Sequence, residues 1–584
     1  MKRFSLLILS LILLIPVSAV TIPAGTYHFD NNVTHYSHVK FLYGQQTQGK
    51  TVIISLTQQA DGLWTFTIPE TVTGQSHYFF SDTSLPDGDY PMSVTSVKDD
   101  IAGKRGERRT QTFKDQDNTP MIPGATFVPN STDQYTSGRW VTAVSSTQTL
   151  PALHIDTEGG VRITSKETYI NATYYLEANG VEGVSDIATA SEPLPMLIRG
   201  RGNYTWTGFD KKPYRIKLSA SAPLAGMEKS KHFVLMAGAD DNLAYMRNPL
   251  GYELSRRMGL AWTPDCRPIE LYLNSKYEGL YFLTENIRVD KDRVNVTEQD
   301  DNATGDVTGG WLVEVDNYNT DPHISVNMPD KRQQMWITYH SPEILSAQQE
   351  TYLQQQFDAI RDAIYTSSTS STLWETLIDP LAMARLYVVR EIMQDEEGFH
   401  GSFYLHKERG EDTRWVAGPV WDFGNAFRQS TDAFIWDNPT FECFIIDRLY
   451  RFPRFQELVR NVFGDFYRLS LPSLPSFLDS LAATIRPAMS ADYARWPSYS
   501  SPDIDTKVAE LKRLVDKKIA WLAQRWGTDG TLSGIRMPDT GIYTAPSIEG
   551  WYTVSGVAIG SQRPTAPGVY VYVCDGERRK VVVR

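Results

Sequence analysis

Between about Leu150 and Gly530 the spacing of apolar residues switches from a period of two to a period of 3.6, returns to two, and then settles at 3.6. Few folds accommodate that order. PALHIDTEGG and YINATYYLEANG alternate β-branched and aromatic residues with polar ones, and PMLIRGRGNYTW and KKPYRIKLSA flank a Gly-rich turn. DDNLAYMRNPLGYELSRRMG then carries Leu243, Met246, Leu250, Leu254 and Met258 at helical spacing, with Asp241 as N-cap and Gly259 as stop. CRPIELYLNSKYEGLYFLTENIRV returns to strands around a turn at Asn274–Lys276. This order predicts a mixed sheet with one covering helix. Residues 342–372, 380–395 and 441–526 are helical in period, and Leu381, Leu386, Val389 and Ile392 mark one buried stripe. SFYLHKERGEDTRWVAGPVWDFGNAF, lying between these helical stretches, reads as two strands around a charged turn. The fold class is α+β: a sheet-rich lobe, a helix-rich lobe with a small sheet, and the chemistry expected at their junction.

The flanks read differently. MKRFSLLILSLILLIPVSAV places Lys2 and Arg3 before an apolar run too short to span a bilayer, with Val17 and Ala19 as cleavage-site residues, so residues 1–19 are expected to be a signal peptide. The mature chain is expected to be exported, to the periplasm, the cell surface or the medium, with no transmembrane segment. Residues 20–110 predict a small β-sandwich dense in aromatics: Tyr27, Phe29, Tyr36, Tyr43, Trp64, Phe66, Tyr78, Phe79 and Phe80. Its run YHFDN…SHVKFLYG…GLWTFTIP resembles small starch-binding modules of secreted bacterial enzymes, a resemblance that implies polysaccharide as a partner. Residues 111–149, polar and rich in Ser, Thr, Pro and Gly, are expected to be a linker. Residues 531–584 end in PGVYVYVCDGERRKVVVR, a hairpin pattern around Asp575–Gly576. That end resembles the β tails by which secreted Bacteroidetes proteins are sorted or attached to the surface.

A formal charge of -12 argues against nucleic acid as a partner, because such binding needs a basic face to displace counterions. The three cysteines, Cys266, Cys443 and Cys574, have neither disulfide-scaffold nor zinc spacing and are expected as free thiols. There is no GxSxG or HExxH pattern and no carboxylate pair in a glycosidase context.

What remains suits phosphoryl transfer, which needs clamped phosphates, a carboxylate-held metal and a base near the nucleophile. In RGRG, the glycines including Gly202 let backbone approach phosphate oxygens while Arg199 and Arg201 supply charge. Glu314 and Asp316, two apart on a strand, share one face and read as structural. RGRGNYTW followed by KKPYRIKL, then DDNLAYMRNPLGYELSRRMG, NSKYEGLYFLTENIRV and GPVWDFG, resembles in motif and order the CotH (spore coat protein H) family of atypical protein kinases. The resemblance covers residues 150–530 and implies a two-lobed kinase-like module using ATP and Mg²⁺ on a secreted or surface protein. It implies Lys217, or else Lys212, on the α/β-phosphates, and Glu253 either orienting that lysine or facing water. Glu285 falls at the hinge or is structural, and Asp422 is a metal ligand. Two departures bear on catalysis. Where the family pattern has Asp and, five residues on, Asn, this chain has Glu397 and Ser402, with Asp395 two residues earlier as the other candidate base. Gly424 stands where the family frequently has an acidic residue. These departures leave a catalytically weak or inactive kinase-like scaffold on a cell-surface carbohydrate-binding protein as the alternative to an active kinase.

Overall fold

The computed structural model describes residues 20–528 apart from 32–33, 46–49, 60–62, 76, 91–120, 122, 130–134, 137, 142–146, 330, 429–430, 438–441, 497 and 502; beyond them it describes residues 550–553, 558–560, 564, 568–574 and 577–583. The expected signal peptide lies outside the described residues.

The N-terminal region folds because its alternating aromatics have one another to pack on. One sheet runs Gly138–Val141, Thr126–Pro129, Gly25–Phe29, Trp64–Ile68 and Thr57–Gln58; the other runs Tyr135–Thr136, His77–Asp82, Val39–Gln45, Lys50–Ser55 and Gly88–Tyr90. Phe29 meets Phe80 with ring centroids 4.6 Å apart, and Phe41 meets Phe66 at 4.5 Å, joining the two sheets through one core. Six of the nine aromatics singled out above are buried there, Tyr43 and Trp64 are half-buried against it, and Phe79 is buried in a separate cluster with Leu42 and Ile53. They form the core and do not present an exposed sugar-stacking platform. Part of the expected linker is also strand. Thr126–Pro129 pairs with Gly25–Phe29, and Phe127 packs on Trp140 at 5.4 Å. Polar composition concealed three short strands whose few apolar residues finish this core.

The next region differs from the predicted sheet-and-helix. Seven strands, Ala152–Thr157, Ile170–Glu177, Leu194–Gly200, Tyr214–Ala222, Ser230–Met236, Lys276–Glu285 and Cys266–Leu273, close into a barrel in that order. Closure is made by parallel pairing of Ala152–Thr157 with Cys266–Leu273, a contact distant in sequence that local periodicity cannot reveal. Alternation sends Ile198, Ile216, Phe233 and Leu283 into the barrel core and their neighbours outward. The helix Arg247–Met258 begins later than the periodicity suggested. Its N-cap is therefore Met246 rather than Asp241, whose carboxylate lies in the preceding loop and accepts the backbone N–H of Leu243 at 2.9 Å and of Arg247 at 2.8 Å; Gly259 ends the helix at φ 71° as expected.

A second sheet follows in the order His323–Val326, Met335–Ser341, Trp311–Asp316, Phe403–Lys407 and Val416–Val420. Around it lie helices Ala347–Tyr365 and Pro380–Ile392, the latter capped by Asp379, and then Pro453–Leu469, Leu474–Arg495 and Ile504–Trp526. Leu386, Val389 and Ile392 are buried as their spacing predicts. Among the described residues no helix is long and apolar enough to cross a membrane. The C-terminal unit, taken by itself, contains a four-stranded sheet in which Gly568–Cys574 and Glu577–Val583 pair as the expected hairpin. The thiols of Cys266 and Cys443 are free.

Candidate functional site

A cavity of about 920 Å³ opens beside the outer face of the barrel and runs to the second sheet and the segment that follows helix Pro380–Ile392. Strand register builds its first wall. Arg199 pairs with Arg215, and Arg215 with Val234, so two guanidiniums and an apolar residue stand as cross-strand neighbours on the outward face. Met236 pairs with Phe282 one step on, extending that face with an apolar patch that Ile287 borders. Arg201, just beyond Gly200, lies over the Trp421 ring at 5.4 Å. Gly202 takes φ 81°, which only glycine adopts freely, so the backbone can turn at the cavity edge.

Charge concentrates here without full internal compensation. Among the described residues neither Arg201 nor Arg215 pairs with a carboxylate, and the buried Nε atoms of Arg199 and Arg215 have no hydrogen-bond partner. Burial, reinforced by the charges of Arg199 and Arg201, pulls Arg215 below the usual arginine range. An anion with several oxygens answers both the orphaned donors and the clustered positive charge.

The opposite side is acidic. Glu397 lines the cavity and accepts a hydrogen bond from Asn317 Nδ2 at 2.8 Å. Burial first, then the charges of Asp422 and Asp395, push the Glu397 carboxyl up to about 7. Asp422 Oδ1 accepts the Gly424 N–H at 3.0 Å. Asp240, from the loop after Ser230–Met236, is pushed up to about 6 by burial and by Asp422 and Asp241. Glu314 and Asp316, read as structural from sequence, both line the cavity; Glu314 meets His340 at 2.9 Å, and burial with the Glu314 charge pushes Asp316 up to about 6. Carboxylates with raised pKa in one cleft mark candidate acid–base chemistry.

Beneath these groups lies Arg390, which sequence reasoning missed. Its side chain is 1% exposed and pairs with Asp395, while its guanidinium donates to the carbonyls of Asp422 at 3.1 Å, Trp421 at 2.7 Å and Ser402 at 3.0 Å. Ser402 and Asp422 both sit in left-handed backbone conformations, at φ 52° and 55°. One buried arginine thus holds the two strained segments that aim Ser402 and Asp422 into the cavity.

The sequence candidates divide accordingly. Arg199, Arg201, Gly202, Glu397, Ser402 and Asp422 come together around the cavity. Five others do not line it. Lys217 shares the outward face with Arg215 but stands one cross-strand row further along, opposite His232, and is exposed. Lys212 donates to the Trp206 carbonyl at 2.7 Å, and Lys211 is buried against Asp492. Glu253 pairs with Arg257 at 2.7 Å and Arg256 at 3.4 Å on its own helix. Glu285 is buried against Arg293 at 2.9 Å, although Asn286 and Ile287 after it do reach the cavity. Asp395 is committed to Arg390.

The donor set fits a divalent cation held jointly with a ligand. Among the described residues no three Asp, Glu, His or Cys side chains converge to hold a metal alone. Asp240 Oδ2 and Asp422 Oδ1 do lie 2.8 and 3.1 Å from the point a Gly424 Cβ would occupy. Mg²⁺ is commonly held by one or two carboxylates, with water and phosphate oxygens completing its shell.

The folded Glu397 keeps its proton to a higher pH than an unfolded glutamate, so its contribution to stability is favourable at low pH and is lost as pH rises through about 7. Glu397→Gln is therefore expected to gain on the wild type by about 1–2 kcal/mol between roughly pH 5 and pH 8, allowing for partial exposure. Thermal melts at both pH values check this; a pH-independent difference contradicts it.

The family model described as CotH kinase protein matches residues 198–522, more than half of the chain. No curated protein matches it.

Proposed function

The chain belongs to the CotH kinase protein family, and from that premise we propose that its cavity binds ATP with Mg²⁺ between two kinase-like lobes and transfers the γ-phosphoryl group to a protein hydroxyl. The observation that carries this reading is the continuity of one cavity. It joins an apolar patch (Val234, Met236, Phe282, Ile287), three guanidiniums (Arg199, Arg201, Arg215) and the carboxylates Asp422 and Glu397. The patch suits a nucleobase, the guanidiniums suit a triphosphate, and the acidic side suits the reacting end.

In this reading the acceptor hydroxyl attacks phosphorus in line, the new O–P bond forms as the bond to the β-phosphate oxygen breaks, and ADP leaves. Glu397 accepts the hydroxyl proton; a carboxyl poised near pH 7 is suited to that exchange. Asn317 fixes the direction in which Glu397 points. A bound Mg²⁺ supplies charge neutralisation on the phosphate oxygens. We place the acceptor among exported or surface proteins, in keeping with the leader read in residues 1–19. Titration calorimetry of the full chain with ATP and Mg²⁺ tests the reading: saturable one-to-one binding is expected, and no heat at millimolar nucleotide overturns it.

A further inference from the structure

We propose that Asp240 is the second carboxylate of the cation seat, facing Asp422 across Gly424, whose lack of a side chain keeps the space between them open. The inference rests on the phosphoryl-transfer reading and names a residue from a different element of the chain.

Two adjacent aspartates lie in the loop after the strand Ser230–Met236, and the structure uses them differently. Asp241 is spent on structure: its carboxylate accepts two backbone N–H groups and lies 3.4 Å from Arg247. Asp240 turns the other way, into the cavity. Its nearest cation is Arg428, whose Nη2 stands 3.7 Å from Asp240 Oδ2, beyond a hydrogen bond. Arg428 instead grips main chain on both sides of the gap, donating to the Gly424 carbonyl at 3.1 Å and the Asp240 carbonyl at 3.4 Å. It fixes the distance between the two segments while leaving the Asp240 carboxylate without a close donor from its side chain.

The gap has a definite size. A Cβ on Gly424 would lie 2.8 Å from Asp240 Oδ2 and 3.1 Å from Asp422 Oδ1, so both oxygens border the same small volume. Two carboxylates held that close repel in the absence of a cation, and a divalent ion between them removes the repulsion. A side chain at Gly424 would fill the seat.

Mn²⁺ binding to the full chain, followed by the electron paramagnetic resonance of the free ion without nucleotide, tests this directly. Asp240→Asn is expected to weaken Mn²⁺ binding by about ten-fold or more, with its cation-free melting temperature no lower than that of the wild type. Gly424→Ala, which places a Cβ in that volume while leaving both carboxylates in the chain, is expected to weaken Mn²⁺ binding by about ten-fold or more as well. Wild-type Mn²⁺ affinity in Asp240→Asn, wild-type affinity in Gly424→Ala, or no binding by the wild type at millimolar Mn²⁺ each overturns the proposal. Titration of ATP with Mg²⁺ present separates the two levels. If ATP fails to bind while Mn²⁺ binding still depends on Asp240, the nucleotide reading falls and the seat stands; ATP binding with Asp240-independent Mn²⁺ binding overturns the seat alone.

Discussion

Arg390→Met is expected to destabilise the protein by about 3–5 kcal/mol, the range for removing one partner of a buried ion pair. The side chain is nearly volume-conserving, so the loss is electrostatic rather than a cavity. Arg390 and Asp395 are each 1% exposed, and removal of the guanidinium leaves the Asp395 carboxylate in the interior with no cation in contact. It also leaves the carbonyls of Asp422, Trp421 and Ser402 without the donor they share. The guanidinium further lies over the Phe423 ring at 4.5 Å, a contact that methionine replaces only in part. Pairing Arg390→Met with Asp395→Leu is expected to recover much of the loss, since replacing both partners of a buried pair avoids the isolated charge. Urea denaturation of the wild type and both variants checks this. A single variant as stable as the wild type contradicts it.

Asp492→Ala is expected to cost a similar amount, about 3–5 kcal/mol, and to loosen the barrel from the helix that covers it. Asp492 lies in helix Leu474–Arg495 and is fully buried, as is its partner Lys211 at 2.7 Å. The same carboxylate accepts hydrogen bonds from Tyr245 Oη at 2.6 Å and from the Leu280 N–H at 2.8 Å, so one side chain ties together three segments that surround the barrel. Without it, Lys211 keeps the Leu280 carbonyl at 2.7 Å and the faces of Tyr245 and Tyr281, at 4.4 and 5.0 Å, which do not replace a buried counter-ion. Denaturant unfolding, with hydrogen exchange along Lys276–Glu285, checks both effects; unchanged stability and protection contradict them.

Legibility from sequence followed the range of the interactions. Local patterns placed six of the seven barrel strands, missing Ser230–Met236, and placed the helix ending at Gly259, the buried stripe of helix Pro380–Ile392 and the two strands around the charged turn after Ser402. Long-range relations did not show. Barrel closure depends on pairing Leu153 with Leu271, far apart in sequence. The resemblance to the CotH family pointed to Asp422, Glu397 and Ser402, and these do line one cavity. It pointed equally to Lys217, because Arg215 and Lys217 share an outward face and only the cavity edge, set by neighbouring elements, separates them. Asp240 and Arg390 carried no local signal: the first reads as half of an acidic pair at a helix start, and the second as one of three charges, with Arg385 and Glu391, on a mostly apolar helix. The polar stretch 111–149 misled for the opposite reason, since a few apolar residues suffice to add edge strands to an existing core.

The central claim is that this cavity binds a nucleotide through arginines on the barrel face, and calorimetric titration of ATP into two matched variants tests it most directly. Arg215→Ala is predicted to weaken ATP binding by about ten-fold or more, as loss of a charge-assisted phosphate contact of about 1.5–3 kcal/mol requires. Lys217→Ala, one row away and exposed, is predicted to bind ATP as the wild type does. Loss of binding in Lys217→Ala with binding retained in Arg215→Ala would contradict the account.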